Sequence, residues 1–510
     1  MNVNRSAENH AEHSRQGRPK GRALPLLRGV LCLAIILTIV LITDFMAREN
    51  LSPVRLAGYL NRDLAALEDE GKSVELMIFG ASQVYHACDT RVLSDVTGFE
   101  EVVDIASAGA PNSAQYYLVE DMLKRFHPDV VILDRHFNSL RSRESDGDFD
   151  TGTLLASDLL SRKGKLSLMT DTAAFPVSLW PNVSALYRYG GEAWQKTGLT
   201  QLVETIAENR DSHRRFRDGE TTGVLQEGDI TDRITYVENG FEFFKVGRVV
   251  GSIPADSDLE FSEEELVDEA QLSYLDRTIE LSREYGATVI LMSLPDSDER
   301  LLSYTDYMAV HDFYEEYAAS QDFTYLDFNL LKDRAGLFAD NQFYDEKHLN
   351  GPGAADFSKV LGNMLVKLLD GEDVSDAFYE EVSEYADSVK RVCACNAMAS
   401  ENEDGSVTLT VWTRQGSSVT PKVRILATAD GISYAELTGW TDPGDITISD
   451  AEIEELISEA EEKGTRAELS EKIRIRFRIE AAQEGSDTVE AFKNKVDVNH
   501  RTVRSEQDAM

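Results

Sequence analysis

Apolar residues along this chain fall into distinct periods, and the periods predict its elements. An uncharged run, Gly29–Thr43, is followed by a polar stretch, Leu51–Lys72, in which Leu56, Leu60, Leu64 and Leu67 recur at helical spacing. Short apolar runs of strand length then alternate with longer amphipathic segments. Strands are predicted over Val74–Phe79, Glu101–Ile105, Asp129–Leu133, Thr288–Ser293 and Phe323–Asp327. Helices are predicted over Ser113–Phe126, Asp268–Tyr285, Asp306–Ser320 and Gly353–Leu369. Strand-helix alternation of this kind implies an α/β fold with a parallel sheet covered on both faces.

Two regions break the pattern. Arg141–Val267 is too long for a simple connection and predicts an inserted lid or subdomain. Trp180, Tyr187, Tyr189 and Trp194 in it either stack on sugar rings or form the insertion's own aromatic core. After a charged stretch, Asp370–Lys390, the period changes to 2 in Ser406–Thr413, Pro421–Ala427 and Lys472–Ile479, the mark of half-buried strands. Alternation there turns Arg474, Arg476 and Arg478 outward and Ile473, Ile475 and Phe477 inward. The acidic segment Asp450–Glu462 reads as a solvated helical insertion between strands.

Composition narrows the possibilities. With 510 residues, 42% of them hydrophobic, the chain holds several folded domains. A formal net charge of −40 repels phosphate backbones and excludes nucleic acid as a partner. Arg5, Arg15, Arg18, Lys20, Arg22 and Arg28 precede the first apolar run, which Leu24–Leu27 and Phe45–Ala47 extend toward the roughly 20 residues of a membrane span. An uncleaved anchor with its basic flank in the cytoplasm is therefore expected. The alternative is a cleaved signal peptide, against which stands the lack of an A-x-A site. Cys32, Cys88, Cys393 and Cys395 have no metal-ligand spacing, the nine histidines include no H-E-x-x-H pair, and neither a metal nor a cofactor is expected.

The candidate chemistry lies in the loops that follow the strands, because ligands of a parallel sheet sit at its carboxyl edge. The first strand ends in Gly80-Ala81-Ser82-Gln83, where small residues allow a sharp turn and present one hydroxyl, making Ser82 the candidate nucleophile. Ordinary turns use the same residues, so Ser82 needs a base. Asp345 and His348, three residues apart ahead of the last predicted helix, supply an orienting carboxylate and that base. Cys88 is an alternative nucleophile, although it and His86 fall where a helix has already begun.

These blocks resemble the SGNH/GDSL hydrolase superfamily, whose first block carries the serine and whose last is D-x-x-H. The correspondence runs through GASQ at Gly80–Gln83, DIASAGAPNSAQYYL at Asp104–Leu118, HPDVVILD at His127–Asp134 and FYDEKHLNGPGAADF at Phe343–Phe357. The GAS-x-x-Y opening and G-x-x-x-S-x-Q-Y-Y-L join look like the anchored envelope branch, proteins of polysaccharide O-acetylation and D-alanyl-lipoteichoic acid biosynthesis. The resemblance implies a flavodoxin-like three-layer core, catalysis by Ser82, Asp345 and His348, and oxyanion donors at Ser82 and Gly109. It departs at the third block, where DRHFNSL replaces G-x-N-D; Asn138 is the substitute, with Asn112 the alternative.

The implied organisation is a cytoplasmic tail (1–23), an anchor (24–47), a helical spacer (48–72), a catalytic domain (73–140 and 268–370), an insertion (141–267), a linker (371–395), a β-rich domain (396–498) and a frayed tail (499–510). The resemblance implies O-acyl ester hydrolysis or transfer on an acylated envelope polysaccharide, with a membrane-bound O-acyltransferase as a possible partner. A non-catalytic binding or assembly component of such a complex is the alternative.

Overall fold

The structure is a computed structural model that describes residues 23–51, 56–135, 140, 159–171, 203–219, 234–245, 247, 267–304, 306–338, 340–462 and 472–501. It divides into two compact units, Met1–Pro53 with Trp180–Arg214, and Val54–Leu179 with Arg215–Met510.

In the first unit, α1 (Ala23–Leu51) presents exposed apolar side chains from Val30 to Ile42, and the Thr38 and Thr43 hydroxyls donate to the Ala34 and Ile39 carbonyls. Among the described residues, no helix is long and apolar enough to cross a membrane.

The second unit contains α2 (Leu56–Glu70), β1 (Leu76–Gly80), α3 (Ser82–Ala87), α4 (Thr90–Thr97), β2 (Val102–Ala106), α5 (Asn112–Phe126) and β3 (Val130–Asp134). It continues through α6 (Arg162–Asp171), the hairpin β4 (Ile234–Tyr236) and β5 (Glu242–Phe244), α7 (Glu269–Glu284), β6 (Thr288–Ser293), α8 (Asp298–Leu301), α9 (Tyr307–Gln321), β7 (Thr324–Asp327), α10 (Arg334–Leu337) and α11 (Gly351–Leu369). The sheet order is β2-β1-β3-β6-β7 and every pair is parallel. This is the doubly wound, flavodoxin-like order, and the strand sequence reverses beside β1.

Pleating sorts the strand residues into two cores. Met77, Phe79, Val103, Val131 and Leu291 pack with α2, α5, α7 and α9, whereas Leu76, Ile78, Val102, Ile132 and Met292 pack with α3, α4 and α11. The outcome is a three-layer α/β sandwich. Leu60, Leu64 and Leu67 are buried in the first of these cores, so α2 covers the sheet rather than standing as a spacer.

The β4–β5 hairpin closes the β2 edge. Asp104 N–H donates to the Asn239 carbonyl at 2.8 Å, and Gly240, at φ 99°, lies so close that any Cβ would strike the Asp104 carbonyl.

Beyond α12 (Val382–Ser388) come antiparallel sheets, one ordered β11-β10-β13-β14 and one β12-β9-β8. Their strands are β8 (Val392–Glu401), β9 (Val407–Gln415), β10 (Pro421–Thr428), β11 (Ala435–Glu436), β12 (Gly444–Ile448), β13 (Lys472–Gln483) and β14 (Ala491–Arg501). β8 thus begins inside the segment read as a linker. Ile473, Ile475 and Phe477 are buried and Arg474 is exposed. The helix α13 (Asp450–Glu462) is not a solvated insertion: Ile453, Leu456, Ile457 and Ala460 are buried, and its branched and Leu side chains join the core of the β domain.

Candidate active site

Ser82 opens α3 at the end of β1, with Ala81 before it in an extended conformation at φ −101° and ψ −160°. The turn needs Gly80: a Cβ there would meet the Val84 side chain and, at 2.7 Å, Asp134 Cβ. The next loop is tied to this one, because Ser107 N–H donates to the Gly80 carbonyl at 3.2 Å. Gly109 in that loop takes φ 62°, in the left-handed region that favours glycine.

Asp345 and His348 come from a closed loop before α11. Phe343 and Leu349 form an antiparallel bridge, and Tyr344 N–H donates to the His348 carbonyl at 2.7 Å. Within it, Asp345 Oδ1 accepts from the backbone N–H of Lys347 and His348 at 3.0 and 2.8 Å. The carboxylate also engages His348 Nδ1, at 2.9 Å from Oδ1 and 2.8 Å from Oδ2. His348 Nε2 then lies 2.8 Å from Ser82 Oγ. Burial works against the Asp345 charge, but the His348 hydrogen bond, its charge and the two backbone donors outweigh it and hold the carboxyl at about 2. Asn350 caps α11 by accepting from Gly353 N–H at 3.1 Å, which fixes where this loop ends.

The other expected residues divide. Asn112 is buried and its side-chain amide donates to the Gln271 carbonyl at 3.3 Å, while its backbone N–H takes Gln271 Oε1. Asn138 lies outside the described residues, as do Trp180, Tyr187, Tyr189 and Trp194. Cys88 is fully buried at the end of α3, and burial, with the carboxylates of Asp104, Asp134 and Asp89, pushes its thiol well up. A thiol in that state is no nucleophile.

Sequence reasoning missed the floor of the site. His86 stacks on Phe244 with ring centroids 3.8 Å apart, and Phe244 stacks on Tyr344 at 4.0 Å. The His86 and His348 rings are perpendicular, with centroids 5.3 Å apart. Burial, reinforced by the neighbouring His348, depresses His86 to about 3, while burial raises Glu242 to about 7. The 3.9 Å approach of His86 Nε2 to Glu242 Oε2 is therefore no ion pair at neutral pH. Gln83, next to the serine, donates from Nε2 to Asp296 Oδ1 and to the Lys347 carbonyl, both at 3.2 Å. Asp296 sits in the loop after β6, another carboxyl-edge loop and on that ground alone a candidate.

No family model matches the chain, and no curated protein does. Among solved structures it is similar to a GDSL-like lipase from Bacteroides thetaiotaomicron, at TM-score 0.28 and 10% identity over 62% of this chain and 100% of that one. It is also similar to a protein from Bacteroides fragilis described as an acylhydrolase, at TM-score 0.28 and 10% identity over 61% and 98%.

Proposed function

We propose that the chain is an SGNH-type serine esterase or O-acyltransferase working through an acyl-serine intermediate. The observation that carries this reading is the continuous relay from Asp345 through His348 to Ser82 Oγ, closed at 2.8 Å. Ser82 Oγ attacks the ester carbonyl as His348 Nε2 takes its proton, and the Asp345 carboxylate stabilises the resulting imidazolium. Charge on the carbonyl oxygen falls to the backbone N–H groups of Ser82 and Gly109; one such donor is worth about 3 kcal/mol. Asn138 is the proposed third donor, since the Asn112 amide is engaged by Gln271. Collapse breaks the ester C–O bond, and the leaving alkoxide takes the proton from His348. Water or a sugar hydroxyl then attacks acyl-Ser82 by the same steps in reverse.

The substrate proposed is an O-acylated envelope polysaccharide, delivered or consumed beside a membrane-bound O-acyltransferase; the motif resemblance supports this. Attachment to the membrane through α1 is part of the proposal, supported by the basic residues ahead of the apolar run and by its exposed Val, Leu and Ile side chains. Flotation of the full chain with phospholipid vesicles, abolished by replacing Leu33, Ile36 and Leu37 with Asp, tests that part.

The reaction is tested by incubating the full chain with p-nitrophenyl acetate and measuring intact mass. An acetyl adduct on wild type that is absent in Ser82→Ala is expected. A wild type that forms no adduct and turns over no ester has, instead, the non-catalytic binding role. Adding acetylated and unacetylated glycans sorts hydrolysis from transfer.

A further inference from the structure

The loop from Leu294 to Arg300 joins parts of the chain that sequence places far apart. Toward the site, buried Ser297 donates its N–H to the Glu346 carbonyl at 2.9 Å, between Asp345 and His348. Arg300 lies 3.4 Å from Asp296 Oδ1 and 3.7 Å from Glu346 Oε1, and Asp296 receives Gln83. Toward the C-terminal domain, buried Asp298 accepts from the Tyr385 hydroxyl at 2.5 Å and from Arg391 Nη2 at 2.8 Å. Arg334, also fully buried, approaches Asp298 Oδ1 at 3.7 Å and donates to the Asp296 carbonyl.

Tyr385 stands in α12 and Arg391 immediately precedes β8. The connection is packed: Tyr385, Val389 and Cys393 are buried in the same apolar core as the sheet residues Phe79 and Leu133. Asp298 is held by Tyr385 and Arg391 with Arg334 at longer range, so losing Arg391 removes the shorter of its two ion pairs and losing the Tyr385 hydroxyl leaves Oδ1 without its short hydrogen bond.

We propose that the segment joining the α/β core to the β domain, from α12 to the start of β8, is a positioning part of the active site, with Arg391 and Tyr385 acting through Asp298 and Ser297 on the Glu346 backbone and so on His348. This rests on the serine-hydrolase reading above. It predicts that weakening a contact remote from Ser82 slows the chemical step without changing ester binding.

The test compares full-length wild type, Arg391→Ala, Arg391→Lys and Tyr385→Phe for kcat and KM on p-nitrophenyl acetate. Thermal melts and hydrogen exchange of the segment 343–350 accompany the kinetics. Arg391→Ala is expected to lower kcat by about tenfold to 100-fold with KM little changed, since small misplacements of catalytic groups cost that much. Arg391→Lys recovers part of the loss. Tyr385→Phe, which keeps the ring packed, lowers kcat in the same direction. The amides of Tyr344 and Asn350, bonded to the His348 and Gln342 carbonyls, exchange faster in Arg391→Ala. Folded Arg391→Ala and Tyr385→Phe with wild-type kcat, or with unchanged exchange over 343–350, overturn the proposal. If wild type turns over no ester while exchange still responds, the positional coupling stands and the enzymatic reading fails.

Discussion

His348 Nε2 lies 2.8 Å from Ser82 Oγ across a separation of 266 residues. β1 delivers one and the loop before α11 the other, and α11 packs directly against α3. Asp345→Asn keeps the shape of this loop but loses the acceptor that selects the imidazole tautomer. Its kcat for an acyl ester is expected to fall on the order of 10³- to 10⁴-fold with little change in KM. Rate measurement beside a thermal melt checks this. A variant within tenfold of wild type removes Asp345 from the relay.

Gly80→Ala is expected to damage activity and stability together. Its Cβ has no free volume, since it would lie against the Val84 side chain and Asp134 Cβ. Overpacking of this kind costs about 1–3 kcal/mol, and the displaced turn moves Ser82 from its partner. Urea unfolding and ester turnover measured on one preparation read both effects. Wild-type values in each show that the turn relaxes without cost.

The fold and the contact of Asp345, His348 and Ser82 were legible where local pattern and tertiary placement coincide. β1 buries both faces, so it reads as an uninterrupted apolar run; Asp345 and His348 lie three residues apart, so their pairing is local. Other features depend on which distant segment covers them. Leu60, Leu64 and Leu67 look alike on a spacer and on the helix that roofs a sheet. In α13 the acidic composition masked Ile453, Leu456, Ile457 and Ala460, whose spacing is helical. Glu242 and Phe244 carry no motif, and only the hairpin's closure over the β2 edge brings them beneath His348. The loop from Leu294 to Arg300 is legible by position alone, since every post-strand loop reaches the same edge.

Asp134, packed against Gly80 at the Ser82 turn, makes stability fall as pH rises. Burial raises its carboxyl to about 7 against the opposing pull of Arg135, from about 4 in the unfolded chain. The folded protein therefore holds a proton that the unfolded chain has released. That contribution is complete below about pH 4 and is lost as pH climbs to about 7. Across this window wild type is expected to lose roughly 3–4 kcal/mol relative to Asp134→Asn, which cannot titrate. Urea midpoints for the two proteins, measured side by side from about pH 4 to about pH 8, give the difference. Parallel curves remove Asp134 as the source.

His86 works in the opposite sense. It is buried between the Phe244 ring at 3.8 Å and the Tyr85 ring at 4.3 Å, with the Glu242 carbonyl 3.3 Å from Nδ1 and the His348 ring at 5.3 Å. Charging it there requires desolvation and brings a cation toward the His348 imidazole, which is why its value drops to about 3, against about 6.5 when unfolded. The unfolded chain thus takes up a proton first. Stability from a neutral His86 is fully present above about pH 6.5 and is lost as pH falls toward about 3, by roughly 3–5 kcal/mol. His86→Phe preserves the stack on Phe244 and abolishes this titration, so its unfolding midpoint is expected to fall less steeply on acidification. Glu242, raised by burial to about 7, contributes a slope of the opposite sign from about pH 4 up to that value, and because it is present in both proteins it cancels in the comparison. Identical acid slopes in His86→Phe and wild type rule out His86 as the titrating group.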